Sequence, residues 1–254
     1  MIKKKIIVAN WKMNPKTPRE AVALWDAVRR TARNLPRVDV AVCPPAVFLG
    51  LFSSPGRGNV FIGAQDVFWE QGGAYTGQIA AAQMAACGAR FTIVGHSERR
   101  ALGETDEQVS LKTRAALKAG LTPIVCVGEM TRDSAGAFFG VLTAQLQASL
   151  DLIPRTAASS LVIAYEPLWA IGRNFREAMD SQTIHETIIF IRKVFADKFG
   201  QEAAKRVRII YGGAVESKNI AAIMSDGRAD GVLVGHKSLV VSDFTNMLKS
   251  ANAV

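Results

Sequence analysis

Leu161-Val-Ile-Ala-Tyr165 runs apolar through successive positions and stops at Glu166-Pro167. A strand with no polar alternation is buried on both faces, which is the signature of a parallel sheet covered by helices. The same kind of run recurs as Lys5-Ile-Ile-Val-Ala9, Val38-Asp-Val-Ala-Val-Cys43, Val60-Phe-Ile-Gly-Ala64, Phe91-Thr-Ile-Val94, Pro123-Ile-Val-Cys-Val127, Val207-Arg-Ile-Ile-Tyr211 and Gly231-Val-Leu-Val234. Helix-length segments separate nearly all of them. Eight such units in a chain of 254 residues predict an α/β fold closed as a (β/α)8 barrel. Most runs end on a residue able to do chemistry, namely Asn10, Gln65, His96, Glu129, Glu166, Gly212 or Gly235. A site built from strand ends is therefore expected.

Hydrophobic residues make up 49% of the chain, enough for a large core, and one domain over residues 1–254 accounts for the length without a linker. Cys43, Cys87 and Cys126 sit in or beside apolar segments without metal-ligand spacing. They read as free buried thiols of a cytoplasmic protein. Asn10 and Lys12 interrupt the first apolar run before a signal-peptide core forms, and no run is long enough to span a membrane. The net charge of +9 is spread through helices rather than interleaved with aromatics. That argues against a nucleic-acid partner and favours a solvated basic exterior that also attracts an anionic small substrate.

Thr17-Pro-Arg-Glu20 and Thr105-Asp-Glu-Gln108 have the form of capping boxes, each ahead of a helical apolar pattern, with Gly120 as a left-handed stop after the second. These boundaries put Asn10, Lys12 and His96 in loops that leave strand ends. Glu166 closes its run before a proline, and such a glutamate is either a surface residue or a catalytic one. His96 precedes Ser97-Glu-Arg-Arg100, where the amides of an opening helix favour a neutral ring, structural or catalytic. His185 falls inside a long helix and reads as structural or exposed. Lys12 can meet a developing oxyanion or a phosphate. Gly212-Gly213 and Gly235 let backbone amides approach an anion closely, and barrels often bind phosphate at those two loops.

Asn10-Trp-Lys-Met-Asn14, Gly95-His-Ser-Glu-Arg-Arg100, Cys126-Val-Gly-Glu129, Ala164-Tyr-Glu-Pro-Leu-Trp-Ala-Ile-Gly172 and Tyr211-Gly-Gly213 together resemble the motifs of the triosephosphate isomerase family, in the family's order. The resemblance runs from end to end. It implies a TIM barrel that interconverts dihydroxyacetone phosphate and glyceraldehyde 3-phosphate, in glycolysis and gluconeogenesis, without cofactor or metal. It also implies roles. Glu166 is the base, His96 the neutral electrophile, Lys12 and Asn10 the electrostatic stabilisers, and Glu98 the carboxylate that positions Lys12. Gly172, Ala214, Gly235 and His236 fall where the family binds the substrate phosphate, and residues 167–179 where it carries a mobile lid. A homodimer is expected through the loop from Gln65 to Gln78, with Thr76 reaching toward the partner's site.

The chain departs from the family at four places. The usual threonine-glycine-lysine-threonine lid tip is replaced and lengthened in Arg173-Asn-Phe-Arg-Glu-Ala-Met179. Ala214 stands for a serine that helps latch the lid, His236 for a second glycine, and Gln78 for a glutamate that approaches the partner subunit. An isomerase for another small sugar phosphate and a non-enzymatic phosphate-binding barrel are the competing readings, and the joint presence of Asn10, Lys12, His96 and Glu166 argues against the second.

Overall fold

The computed structural model describes residues 4–52, 58–172 and 179–254. The strands are β1 (Lys5–Asn10), β2 (Val38–Cys43), β3 (Val60–Ala64), β4 (Ala89–Val94), β5 (Thr122–Val127), β6 (Val162–Tyr165), β7 (Arg208–Tyr211) and β8 (Gly231–Val234). All pair in parallel in sequence order, and β8 returns to β1 through Ile6↔Gly231 to Ala9↔Val234, which closes the barrel. The helices are α1 (Pro18–Ala32), α2 (Ala81–Ala86), α3 (Ser97–Ala101), α4 (Asp106–Lys118), α5 (Ala137–Ser149), α6 (Ser181–Phe199), α7 (Gln201–Arg206), α8 (Ile220–Ser225) and α9 (Val241–Ala253).

The absence of polar alternation in the strands has a direct structural cause. Ile6, Val8, Ile93, Ile124, Ala164 and Ile210 fill the barrel interior, while their neighbours Ile7, Ala9, Val94, Val125, Ile163 and Ile209 pack outward in the core shared with the helices. Each fully buried Val, Leu or Ile contributes about 1.5–3 kcal/mol. A helix cap contributes about 1 kcal/mol, so the two-sided wall decides the architecture and the caps decide only where helices begin.

The Thr105 box forms in both directions, Gln108 N–H to Thr105 Oγ1 at 3.2 Å and Thr105 N–H to Gln108 Oε1 at 3.1 Å. Thr17 accepts from Glu20 N–H at 3.3 Å, but the Glu20 carboxylate accepts from Lys16 N–H at 3.1 Å instead of from Thr17. The box therefore closes one residue early. Gly120 takes φ +78° just after α4, and His185 lies half-buried within α6. Among the described residues, no helix is long and apolar enough to cross a membrane.

Two expectations need correction. Cys43 and Cys126 are buried, but Cys87 is exposed, because it terminates α2 as the C-cap residue instead of lying on its packed face. Asn10 belongs to β1 and not to the following loop, since its pairing with Cys43 of β2 extends the ladder by one residue. Of the altered lid tip, residues 173–178 lie outside the described residues.

Candidate active site

Parallel closure brings the C-terminal ends of all strands to one pole, and there the structure gathers residues remote in sequence. Asn10, Lys12, His96, Glu166, Gly172, Ala214, Gly235 and His236 all line one cavity of about 370 Å³. Glu98 lies beside this cavity and reaches it through Lys12.

Glu166 directly follows β6 and is 2% exposed. Its backbone N–H donates to the Val127 carbonyl at 2.8 Å, so the β5 neighbour continues to guide the chain past the strand. Two glycines make room for it. A Cβ on Gly128 would lie 1.8 Å from the Glu166 carbonyl oxygen, and one on Gly212 would lie 2.8 Å from Glu166 Cγ. The carboxylate accepts the Ser97 backbone N–H on Oε2 at 3.3 Å, and its Oε1 stands 3.4 Å from His96 Nε2. Nothing in the residue type of Ser97 marks it for this contact. Its position immediately after the histidine, at the first amide of an opening helix, was the available signal.

His96 caps α3 from a nearly buried position. Its Nδ1 accepts the Glu98 backbone N–H at 3.2 Å. An accepting Nδ1 carries no proton, so the ring is neutral and Nε2 is the nitrogen bearing hydrogen. The N–H thus points at the cavity, where it can donate to an oxygen.

Lys12 has φ +52°, a left-handed backbone that costs a non-glycine residue about 1–3 kcal/mol. Three contacts hold it there. Its N–H donates to Asn10 Oδ1 at 3.0 Å, its carbonyl accepts from Gln65 Nε2 at 2.8 Å, and its ammonium donates to Glu98 Oε1 at 2.5 Å. Gln65 also donates to the Cys43 carbonyl at 2.9 Å, tying the lysine loop to the end of β2. Glu98 therefore does two jobs, with its amide fixing the His96 ring and its carboxylate fixing the Lys12 ammonium.

The cavity is also lined by the segments after β7 and β8. Gly213, Ala214, Val215 and Glu216 come from the first, and Gly235, His236 and Lys237 from the second. A Cβ on Gly235 would lie 3.2 Å from Lys12 Cε, so that backbone runs against the lysine stem. Glu216 and Lys237 were not anticipated. Each follows a recognised residue by one or two positions, and only the curl of the loop turns it toward the cavity.

Behind the cavity, Glu129 Oε1 accepts from the Tyr165 hydroxyl at 2.8 Å and from Trp169 Nε1 at 2.9 Å. Burial, together with the Glu129 charge, pushes the Tyr165 hydroxyl well up, so it stays protonated and acts as a donor. This ties the segment after Glu166 to the end of β5.

Comparison with known proteins gives one answer. A family model described as triosephosphate isomerase matches residues 5–251. Triosephosphate isomerases of Thermoanaerobacter sp. (strain X514) and Endomicrobium trichonymphae are each 41% identical, over 97% and 98% of this chain and 99% of each relative. The crystal structure of triosephosphate isomerase from Bartonella henselae superposes with a TM-score of 0.84 at 33% identity, covering 97% of this chain and 98% of that one. With a barrel closed in sequence order and a lysine, histidine and glutamate converging at its C-terminal pole, the chain belongs to the triosephosphate isomerase family.

Proposed function

We propose that this chain isomerises dihydroxyacetone phosphate and glyceraldehyde 3-phosphate through an enediolate. The observation that carries the reading is the pairing of a buried carboxylate with a neutral imidazole N–H, 3.4 Å apart in a cavity also lined by the glycines after β7 and β8. Aldose–ketose isomerisation needs a base on carbon and donors on oxygen, and no other groups change bonding.

Glu166 takes a proton from the hydroxyl-bearing carbon as the C–H electrons move toward the carbonyl oxygen. The negative charge that develops there meets the His96 Nε2–H and the Lys12 ammonium, with Asn10 adding to the electrostatic stabilisation and Glu98 holding that ammonium in place. Proton exchange between the two enediolate oxygens through His96 leaves a carbonyl at the other carbon once Glu166 returns its proton. One carbon is oxidised as its neighbour is reduced, with no net change and no leaving group, so the reaction calls for no external electron acceptor. The backbone amides of Gly172, Ala214, Gly235 and His236 bind the phosphate and supply remote binding energy that orients the reacting carbons.

The whole of residues 1–254 acts as one barrel domain, in the cytoplasm, on a free small-molecule substrate and not on a nucleic acid or a membrane. A homodimer forms through the loop from Gln65 to Gln78, with Thr76 reaching the partner's site. Support comes from apolar side chains left in the open around it, Met13 at 92% exposure and Tyr75 at 45%, and from a neighbouring cavity of about 280 Å³ lined by Gln65, Phe68, Gln78, Ile79 and Arg99. A coupled assay with glyceraldehyde 3-phosphate tests the reaction, and a panel of other small sugar phosphates tests substrate choice. Turnover confined to another sugar phosphate would replace this reading.

A further inference from the structure

The two loops of the phosphate end carry more than backbone amides. His236, exposed at the cavity wall, makes no side-chain hydrogen bond or ion pair among the described residues. Both ring nitrogens are therefore available to a ligand. Glu216 lines the same cavity from the loop after β7, next to it because β7 and β8 are paired neighbours. Lys237 follows His236 on the wall, with its ammonium 3.3 Å from Asp243 Oδ2 of α9. An amide alone binds a phosphate without changing charge. An imidazole placed beside a dianion gains a proton, because the opposite charge favours the charged form.

We infer that His236 is a side-chain ligand of the substrate phosphate that takes up a proton when the dianion binds, so that the site selects ligands by charge as well as by shape. The inference rests on the phosphate-end reading given above. The charged and titratable groups that line the cavity with His236 are Lys12 after β1, Glu216 after β7, Lys237 next in sequence, His96 and Glu166, with Asp243 paired to Lys237. Glu216 and Asp243 favour the imidazolium and Lys12 and Lys237 oppose it. The arriving dianion adds two negative charges and tips that balance. The proton comes from solvent and returns there when the ligand leaves.

Sulfate is the probe, because it stays a dianion across the range in which imidazoles titrate and removes the ligand's own ionisation from the result. The affinity of the whole protein for sulfate, measured by calorimetry, should rise roughly fivefold or more between about pH 8 and about pH 6, as linkage to one imidazole requires. In His236→Gln, which keeps a donor but cannot titrate, the rise should flatten to what His96 and Glu166 contribute. Lys237→Ala should weaken sulfate at every pH while keeping the slope. In the unaltered protein, NMR of the His236 ring should show it holding its proton to higher pH with sulfate than without, a readout that needs no variant. Superimposable pH profiles for parent and His236→Gln, or a ring titration unmoved by sulfate, would overturn the inference. Turnover of glyceraldehyde 3-phosphate is measured separately, so loss of the isomerase reading and loss of this one give different results.

Discussion

At the scale of single residues, Glu166 is held by what is missing around it. Gly212 faces Glu166 Cγ so closely that an added methyl would stand 2.8 Å away. Gly212→Ala is therefore expected to push the carboxylate aside and lower turnover by about 10–100-fold, the penalty for misplacing a reacting group by a fraction of an ångström to one ångström. Thermal stability should change far less than turnover, and steady-state kinetics beside a melting curve separates the two. His96→Gln keeps a hydrogen-bond donor but loses the proton-exchanging ring, so it should lower turnover strongly. Equal rates in variant and parent would reject the electrophile. Ala214→Ser restores a hydroxyl beside the phosphate end, and one recovered hydrogen bond should tighten an enediolate analogue by about 1 kcal/mol. An unchanged dissociation constant would show that the hydroxyl has nothing to bond.

Helices and strands divide into features written locally and features set by neighbours. The Thr105 box was legible because both of its bonds lie within three residues of sequence. The Thr17 box was legible only by half, since Glu20 turns back to Lys16, a choice fixed by the path of the incoming chain. The start of β4 at Ala89 was hidden because that residue pairs with Ile62 across an irregular register between Ile62 and Gly63, and cross-strand pairing leaves no trace in one strand's own sequence. The exposed Cys87 has the same cause, as its side depends on how the short α2 ends against the barrel.

Asp180 caps α6 by accepting from Thr183 N–H at 2.9 Å and from Thr183 Oγ1 at 2.6 Å. The Thr183 hydroxyl, and then its amide, hold the carboxyl below its usual range. A lowered folded value means that the stabilisation is present in full above the unfolded titration near about pH 4 and disappears as pH falls through the lowered value. Asp180→Ala is expected to cost about 1 kcal/mol at neutral pH. The deficit should close on acidification, as melting temperatures recorded against pH would reveal; a deficit constant with pH would assign it to helix propensity instead of the cap.

For the whole molecule, closure in sequence order is what makes the site. Asn10, His96, Glu166 and Gly235 lie far apart along the chain, yet each follows or ends a strand whose C-terminus opens on the same pole. That rule let strand-end residues be picked from sequence before their distances were known. It gave no access to Glu216, Lys237 or the Ser97 amide, whose positions depend on loop curvature. Arg99 is a further case. Its Nε lies 3.3 Å from Asp66 Oδ2 within the chain, so this arginine has a carboxylate without calling on position 78 of a partner. In the proposed homodimer, Gln78→Glu alone should thus leave dissociation within about threefold of the parent. Combined with Asp66→Asn it should tighten the dimer, a coupling that a double-mutant cycle on dilution measures. Additive effects would reject the link between the two positions.

The central claim is that Glu166 is the group that moves the proton. It is tested by the turnover of glyceraldehyde 3-phosphate in the parent and in Glu166→Gln, with sulfate affinity measured on the same samples. The amide keeps the shape of the side chain and cannot take the proton. The account predicts that the parent turns over, and that the variant loses about a thousandfold or more in kcat while its sulfate affinity stays close to the parent's. A variant that turns over at near-parental rate would contradict it.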